Sequence, residues 1–324
     1  MNNHEDMINS VNDVAEKSQL IIHEVEKAII GKRNILMMMM AAFLSSNGHI
    51  LLEDYPGMAK TLIANSFASA LGLEFKRVQF TPDLLPGDIT GGFIFDSRQN
   101  SFVLRKGPLF TNILLADEIN RASPKTQSAL LEAMQECQVS LEGEILKLPD
   151  PFIVIATQNP IEYEGTFPLP EAQLDRFIIR LSMGYPSISE EQEILARRSE
   201  RKQDLVPIMK LFTPASIASM RAIVENVYVD PDIQQYIVKL VEKTRNHRQV
   251  ELGVSPRGSL ALMKITRSWA AIQNRDFVLP DDVKSLAIPV CAHRIISKSY
   301  LHNGDTNSTA RILQRILDQV SAPN

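Results

Sequence analysis

The sequence is poor in the residues that build disulfide frameworks and transition-metal sites. Its 324 residues include two cysteines, Cys137 and Cys291, which lie far apart, and six histidines that form no cluster with ligand spacing. A disulfide scaffold is therefore excluded, and we expect both thiols to be reduced and buried in a cytoplasmic protein. The sequence also predicts no metal site built from histidine or cysteine.

Long apolar runs and an excess of positive charge are missing as well. No apolar stretch approaches about 18 residues, so no membrane insertion is expected, and the first residues are polar and acidic, unlike a secretory signal. Basic side chains number 34 and acidic ones 38, for a net charge of −4 and a pI of about 5.9. This balance argues against nucleic acid as a partner. A hydrophobic content of 44% with 22% charged residues is typical of a globular protein with one large or two small domains.

Strand and helix patterns alternate in the first half of the chain and give way to helices in the second. Strands are predicted near residues 49–53, 75–80, 111–116, 151–156 and 177–182. Such alternation indicates a parallel sheet covered on both faces. Helices are predicted near 188–200, 214–226, 231–247, 256–273, 280–293 and 308–319, with caps at Ser187, Thr213, Asp230, Ser255 and Pro280. We therefore expect a core over residues 1–185, a linker with one helix over 186–212, and an all-helical domain over 213–324.

One segment between a predicted strand and a predicted helix is close to a phosphate-binding loop. It carries Lys60 and Thr61 of the pattern G-x-x-x-x-G-K-[ST], with Asp54 and Ala59 in place of the two glycines. In such a loop, backbone N–H groups and a helix N-terminus surround the phosphates. The lysine neutralises the β- and γ-phosphates and the threonine hydroxyl binds Mg²⁺. The sequence therefore predicts a site for ATP and Mg²⁺, with the loop residues Asp54, Tyr55, Pro56, Gly57, Met58, Ala59, Lys60, Thr61 and Leu62.

Asp54 adds a negative charge to this loop, and the direction of its side chain decides the consequence. A carboxylate about 6 Å from a phosphate charge costs about 3 kcal/mol at an effective dielectric constant near 20. A carboxylate that points to solvent costs little. The sequence leaves both orientations open. If the charge weakens the site, Asp54→Gly is expected to tighten ATP binding by a factor between about 3 and about 100.

Two further predicted strands end in polar side chains. The run 112–118 ends in Asp117 and Glu118, and the strand at 152–156 leads to Asn159. We expect Asp117 to hold Mg²⁺ and Glu118 to orient and activate the attacking water. Asn159 has two interpretations: it reaches the γ-phosphate and the attacking water, or it caps a turn before Pro160.

Taken in order, these segments closely resemble the MoxR family of AAA+ ATPases. The similar runs are residues 53–61, 79–86, 117–121, 156–160 and 169–177, and the resemblance extends from about Val25 to Asp318. It implies an α/β fold, in which a P-loop AAA+ core with sheet order 5-1-4-3-2 and two inserted β-hairpins is followed by an all-α lid domain. It also implies ATP hydrolysis by a hexameric ring, coupled to chaperone-like remodelling or maturation of client protein complexes. Metal-cofactor insertion and client partners with a von Willebrand factor A domain are associated with such proteins.

The resemblance also gives roles to two arginines. Arg176 is expected to reach into the neighbouring subunit's nucleotide, where a fixed guanidinium stabilises transition-state charge. Arg257, at the start of a lid helix, is expected to contact the γ-phosphate and couple it to the position of the lid. The alternatives are an Arg176 that pairs with Asp175 or Glu171 on its own surface, and an Arg257 that is an ordinary helix-surface arginine.

Three more residues receive roles in the same way. Gln79, at the end of the second strand, is expected to act as a relay to Glu118. Ile30 and Gly31 are expected to flank the adenine ring.

Two segments with alternating apolar residues are predicted as β-hairpins. They cover residues 91–104, around a polar turn, and 139–148, around Gly143. The resemblance implies that both hairpins face the channel of the ring or the bound client. The alternative is that both are solvent-exposed insertions that bind nothing.

Two rival functions remain open at this point. One is a nucleotide-gated scaffold with little hydrolysis, which the Asp54 charge favours. The other is a DNA-acting AAA+ motor, which shares a hairpin-bearing core. The acidic pI, the lack of a helix-turn-helix segment and the few basic residues near the hairpin tips, Arg98 and Lys147, argue against it.

Overall fold

The computed structural model of the protein describes residues 8–55, 57–98, 100–159, 166–298 and 307–323. The helices are α1 (Val11–Glu26), α2 (Arg33–Leu44), α3 (Lys60–Leu71), α4 (Pro86–Thr90), α5 (Pro124–Glu136), α6 (Glu171–Leu174), α7 (Ile188–Arg201), α8 (Pro214–Glu225), α9 (Pro231–Arg245), α10 (Pro256–Ile272), α11 (Pro280–Cys291) and α12 (Asn307–Gln319). The strands are β1 (Ile50–Glu53), β2 (Phe75–Gln79), β3 (Gly91–Asp96), β4 (Ser101–Lys106), β5 (Ile113–Asp117), β6 (Gln138–Leu141), β7 (Glu144–Lys147), β8 (Ile153–Gln158), β9 (Ile179–Leu181), β10 (Val250–Leu252) and β11 (Ile296–Ser297). Within the described ranges, no helix has both the length and the apolar character needed to span a bilayer.

Five of these strands form one parallel sheet in the order β2-β5-β8-β1-β9. Numbered along the chain, this is the order 5-1-4-3-2, so the predicted topology is confirmed. Ile50 and Leu52 of β1 pack in the apolar cluster with α1, α2 and α3, whereas Leu51 packs in the cluster with α5. Both faces of the sheet are therefore covered, which explains the continuous apolar runs of the inner strands β1, β5 and β8.

The two predicted hairpins are present as separate two-stranded sheets. Strand β3 pairs with β4, and β6 pairs with β7, both antiparallel. On the first hairpin, Phe95 and Phe102 lie opposite each other with their ring centroids 5.5 Å apart, edge to face. Both rings are more than half exposed, at 55% and 69%. The first hairpin therefore presents an aromatic surface to solvent.

The helices predicted after residue 186 are all confirmed within one or two residues. Ser187, Thr213 and Asp230 accept hydrogen bonds from first-turn amides, as expected of caps. The Ser255 hydroxyl instead donates to Asp175 across the molecule, at 2.8 Å. Strands β10 and β11 form a small antiparallel sheet among these helices. Their two- and three-residue lengths are too short to show alternation in the sequence.

The helices of the second half pack against those that precede β1. A single apolar cluster includes side chains of α1, α2, α3 and the helices α8 to α12. At this interface the Ser45 and Ser268 hydroxyls are hydrogen-bonded at 2.8 Å. Elsewhere, Arg294 pairs at 2.7 Å with Asp175, which caps the end of α6. The Arg294 side chain is 2% exposed. The domain boundary near residue 185 stays a prediction.

Candidate active site

The predicted phosphate loop connects β1 to α3. Gly57 has a φ of +82° and Ala59 a φ of +54°, both in the left-handed region, and α3 begins at Lys60. Two such turns in three residues bend the chain sharply between the strand and the helix. The first N–H groups of α3 have no partner within the helix, and therefore form an anion-binding end. Of the other loop residues, Met58 and Leu62 pack against the core, and Pro56 lies outside the described residues.

The Asp54 carboxylate does not point to solvent, which was one of the two orientations that the sequence left open. Its side chain is buried, at 5% exposure, and points toward the chain after β9. There it accepts hydrogen bonds from Ser182 Oγ at 2.7 Å, from Met183 N at 2.6 Å and from Gly184 N at 3.1 Å. Its backbone carbonyl accepts from Lys60 Nζ at 2.6 Å. Asp54 therefore contacts the loop lysine through its main chain and a different segment through its carboxylate.

The two acidic residues lie where β5 ends. Thr157 Oγ1, on the neighbouring strand β8, donates to Asp117 Oδ1 at 2.6 Å and accepts from Glu118 N at 2.8 Å. One hydroxyl therefore positions both residues. Sequence reasoning gave Thr157 no role, although it lies two residues before Asn159 in a segment already singled out.

The donor set at this end of the sheet fits Mg²⁺. Magnesium prefers oxygen ligands and is commonly held by one or two carboxylates together with substrate phosphates. The Thr61 hydroxyl and the Asp117 carboxylate are donors of this kind, on the loop helix and on β5. In the described part of the chain, no group of three or more His, Cys, Asp or Glu side chains forms a self-contained metal site.

A hydrogen-bonded network joins the two carboxylates to strand β2. Gln79 Nε2 donates to Glu118 Oε2 at 2.6 Å, which is the contact expected of a relay. Arg121 Nη1 donates to the same oxygen at 2.9 Å. Arg77 donates to Asp117 Oδ2 from Nε at 3.0 Å and from Nη2 at 2.6 Å, and its Nη2 also donates to Gln79 Oε1 at 3.1 Å. Sequence reasoning missed Arg77, yet the i, i+2 spacing to Gln79 places both residues on one face of β2.

The remaining predicted residues lie around the same end of the sheet. Asn159 directly follows β8 and is 7% exposed. Because β8 lies between β1 and β5, Asn159 lies between the strand that leads into the phosphate loop and the strand that ends in Asp117. Gly31 lies against Glu190 of α7. The Tyr55 ring stacks on the Tyr185 ring with centroids 6.0 Å apart.

The two predicted arginines lie together, and at the opposite edge of the sheet. Arg176 and Arg257 line a cleft of about 260 Å³ with Asn47 and His49, which precede β1, and with Ile178, which precedes β9. This is the amino edge of the parallel strands, whereas the phosphate loop follows their carboxyl edge. The four residues of β1 separate the two edges by about 13 Å at about 3.3 Å per residue. Lid packing thus places Arg257 beside Arg176 and away from the phosphate loop of its own chain.

This arginine cleft is strongly cationic. Arg176 Nη1 donates to the carbonyl oxygen of Leu131, while Asp175 is paired with Arg294 instead. Burial, and then the nearby charge of Arg257, lower the pKa of the Arg176 guanidinium from its usual value. Lys264 lines the same cleft, and sequence reasoning missed it. Its position two helical turns after Arg257 on α10 was the available signal.

Comparisons with known proteins match both the sheet-containing half and the helical half of the chain. The family described as "ATPase family associated with various cellular activities (AAA)" matches residues 49–179, and the AAA lid domain matches residues 242–316. The chain is 49% identical to the uncharacterized protein YeaC of Bacillus subtilis over 85% of both chains. It is 41% identical to Chaperone MoxR1 of Mycobacterium tuberculosis, over 93% of this chain and 81% of that protein.

A solved structure shares the whole architecture. The crystal structure of a Cytophaga hutchinsonii protein described as a candidate ATPase superposes with a TM-score of 0.88 at 36% sequence identity, covering 97% of each chain. Together with the family matches, these similarities identify an ATP hydrolase. The chain belongs to the MoxR family of AAA+ ATPases.

Proposed function

We propose that this ATPase acts as a homo-oligomer, a hexameric ring when nucleotide is bound, in which two adjacent subunits share each active site. The observation that carries the proposal is the separation of two complementary half-sites. The phosphate loop and the carboxylates lie at the carboxyl edge of the sheet. The arginine cleft lies at the amino edge. A guanidinium must lie within hydrogen-bond distance of a phosphate oxygen to stabilise its charge. The cleft of one subunit therefore completes the phosphate site of its neighbour.

Each residue then has a chemical task. Lys60 and the amides of the phosphate loop bind the ATP phosphates, and Thr61 and Asp117 hold Mg²⁺, which neutralises phosphate charge when bound. Glu118 accepts the proton of the attacking water, while Asn159 orients that water and the γ-phosphate. Arg176 and Arg257 of the adjacent subunit stabilise the charge that develops in the transition state.

The work done by hydrolysis is proposed to be the remodelling or maturation of a client protein complex in the cytoplasm. The similarity to a protein named Chaperone MoxR1 supports this class of activity. The exposed Phe95 and Phe102 of the first hairpin provide an aromatic contact surface for an incompletely assembled client. Proteins with a von Willebrand factor A domain, and complexes that receive a metal cofactor, are the clients to examine first.

Subunit mixing tests the shared site directly. Lys60→Ala subunits lack a working phosphate loop, and Arg176→Ala subunits lack the trans arginine, so each variant alone is expected to be inactive. In a mixture, some interfaces join the intact loop of an Arg176→Ala subunit to the intact Arg176 of a Lys60→Ala subunit. ATP hydrolysis should therefore reappear. Two affinity tags establish that the variants co-assemble. No recovery in a co-assembled mixture would show that Arg176 does not act in the neighbour's site.

A further inference from the structure

Asp54 joins two segments that are far apart in the sequence. It directly follows β1, and its N–H continues the sheet pairing by donating to the Gln158 carbonyl oxygen at 3.3 Å. Its carboxylate accepts three hydrogen bonds from the segment Ser182 to Gly184, here called the strap. Hydrogen bonds to a carboxylate are about twice as strong as those between neutral groups. Their loss would leave a buried carboxylate without partners, which is costly. The strap and the base of the phosphate loop are therefore firmly tied.

The strap leads out of the core toward the lid. It follows β9, and Gly184 turns it back toward Asp54 with a φ of +59°, a conformation that other residues rarely adopt. It continues through Tyr185 into α7, a helix whose residues are all at least partly exposed. Few contacts position such a helix, so the contacts made at its amino-terminal end largely determine where it lies.

Two more contacts bind the end of the strap to the nucleotide side of the molecule. The carbonyl oxygen of Tyr185 accepts a hydrogen bond from Lys32 Nζ at 3.0 Å. The Tyr185 ring stacks on Tyr55, the residue after Asp54. The ring contact and the three hydrogen bonds to the Asp54 carboxylate thus converge on loop residues 54–55, whereas Lys32 holds Tyr185 from the turn before α2.

The same residue also holds the lysine that is expected to bind phosphate. Lys60 Nζ donates to the carbonyl oxygen of Asp54 at 2.6 Å. A phosphate that draws the ammonium group toward itself changes this contact, and the carboxylate of the same residue is tied to the strap. We propose that Asp54 is a positioning residue that couples the conformation of the phosphate loop to the strap that leads to the lid. This inference rests on the proposed nucleotide site and deepens it.

The proposal and simple charge repulsion make opposite predictions. If Asp54 only repels phosphate, Asp54→Asn should tighten nucleotide binding and Ser182→Ala should have no effect. If Asp54 positions the loop, both changes weaken binding. The asparagine loses charge and presents an N–H₂ group to backbone N–H donors, whereas the alanine removes one donor and leaves the charge intact. We expect affinity to fall by about tenfold for Asp54→Asn and about threefold for Ser182→Ala.

The experiment is titration calorimetry of the full chain with a non-hydrolysable ATP analogue and Mg²⁺. It compares the wild type, the two single variants, the double variant and the matched control Ser189→Ala, an exposed hydroxyl in the first turn of α7. The double variant should bind no more weakly than Asp54→Asn alone, because both changes break the same contact. Ser189→Ala should match the wild type. Tighter binding by Asp54→Asn with a neutral Ser182→Ala, or fully additive losses, would overturn the proposal.

Amide hydrogen exchange measures directly whether the strap responds to bound nucleotide, which an affinity does not show. In the wild type, the analogue should slow exchange at Met183 and Gly184. In Asp54→Asn, at saturating analogue, that protection should be lost. Equal protection in both proteins would refute the coupling even if the affinities differ. Failure of the proposed function is distinguishable, since it would appear as no analogue binding by the wild type or as no recovery in subunit mixing. If Asp54→Asn does not fold, Ser182→Ala alone still separates the two models, because only the positioning role predicts weaker nucleotide binding by this variant.

Discussion

The Gln79 amide donates to the Glu118 carboxylate across two neighbouring strands, at 2.6 Å. The register of β2 and β5 places Gln79 beside Asp117, so Gln79 reaches the side chain of the next residue along the chain. Arg121 donates to the same Glu118 oxygen from the turn that follows. The orientation of the proposed base is therefore set from both sides. A shift of β2 relative to β5 would turn the carboxylate toward or away from the attacking water.

Glu118→Gln should remove hydrolysis and keep nucleotide binding. The glutamine preserves the shape of the side chain and can accept the hydrogen bond from Gln79, but it cannot serve as a general base. We expect phosphate release to fall by about a hundredfold or more, with the affinity for ATP and Mg²⁺ changed by less than about threefold. Steady-state phosphate release and analogue titration measure the two quantities. A fall of less than about tenfold would mean that Glu118 is not the base.

Arg77 should set the magnesium requirement of the enzyme. Its guanidinium is paired with the Asp117 oxygen that Thr157 does not bind, so a cation that approaches Asp117 must displace it. Arg77 is 48% exposed, and exposed ion pairs contribute at most about 1 kcal/mol. Arg77→Ala should therefore lower the Mg²⁺ concentration for half-maximal hydrolysis by about two- to fivefold. Arg98→Ala, on the exposed hairpin turn, is the matched control. An unchanged magnesium requirement would show that Arg77 does not compete.

Much of the fold could be predicted because its signals are local. Strands β1, β5 and β8 of the central sheet are buried on both faces, so each appears as an apolar run, and the loop with Lys60 and Thr61 follows the first of these runs. Asp117 and Glu118 could be singled out in the same way, because they end the apolar run at 112–118. The hydrogen bond from Gln79 to Glu118 was expected from the family resemblance and is present.

The contacts that were not predicted depend on packing between distant segments. Ser182 lies 128 residues after Asp54, and no local pattern indicates that the two side chains meet. The sequence-based prediction assigned Arg257 to a γ-phosphate. It did not state whether this phosphate is bound by the same subunit or by the neighbouring one. The place of Arg257 beside Arg176 follows from the packing of α10 against α2, which periodicity does not reveal.

His49 should make folding stability depend on pH. Its buried ring accepts a hydrogen bond from Val154 N at 3.0 Å and donates to the Met134 carbonyl oxygen at 3.0 Å, an arrangement that requires neutral imidazole. Burial lowers the pKa of His49 from 6.5 to about 4. Below about pH 6.5 the unfolded chain binds a proton that the native state does not. Stability is thus present above that pH and is lost as the pH falls toward 4.

The expected loss from this histidine between about pH 7.5 and pH 5 is about 2 kcal/mol in the free energy of unfolding. Urea unfolding at the two pH values measures it. His49→Gln should show a smaller difference between the two pH values, whatever its absolute stability. The same substitution at the exposed His23 should leave the difference unchanged. If the free energy of unfolding changes equally between the two pH values in the wild type and in His49→Gln, His49 is not the source of the pH dependence.

Arg257 should act in the neighbouring subunit, as Arg176 is proposed to do. Both line the cleft at the amino edge of the sheet, so both are expected to meet the same nucleotide. A mixture of Arg257→Ala and Lys60→Ala subunits should regain hydrolysis, because a Lys60→Ala subunit supplies both arginines to the intact loop of its neighbour. A mixture of Arg257→Ala and Arg176→Ala subunits should stay inactive, because each contributes a cleft that lacks one arginine.

An Arg257 that served the nucleotide of its own chain would reverse both results. The Arg176→Ala subunit would then provide the intact loop together with Arg257, and the Arg257→Ala subunit would provide Arg176, so the second mixture would recover. The first mixture would stay inactive, because neither variant carries both Lys60 and Arg257 in one subunit. Phosphate release from the two co-assembled mixtures, with the mixture of Lys60→Ala and Arg176→Ala subunits as reference, therefore distinguishes the two placements without any change in substrate or conditions.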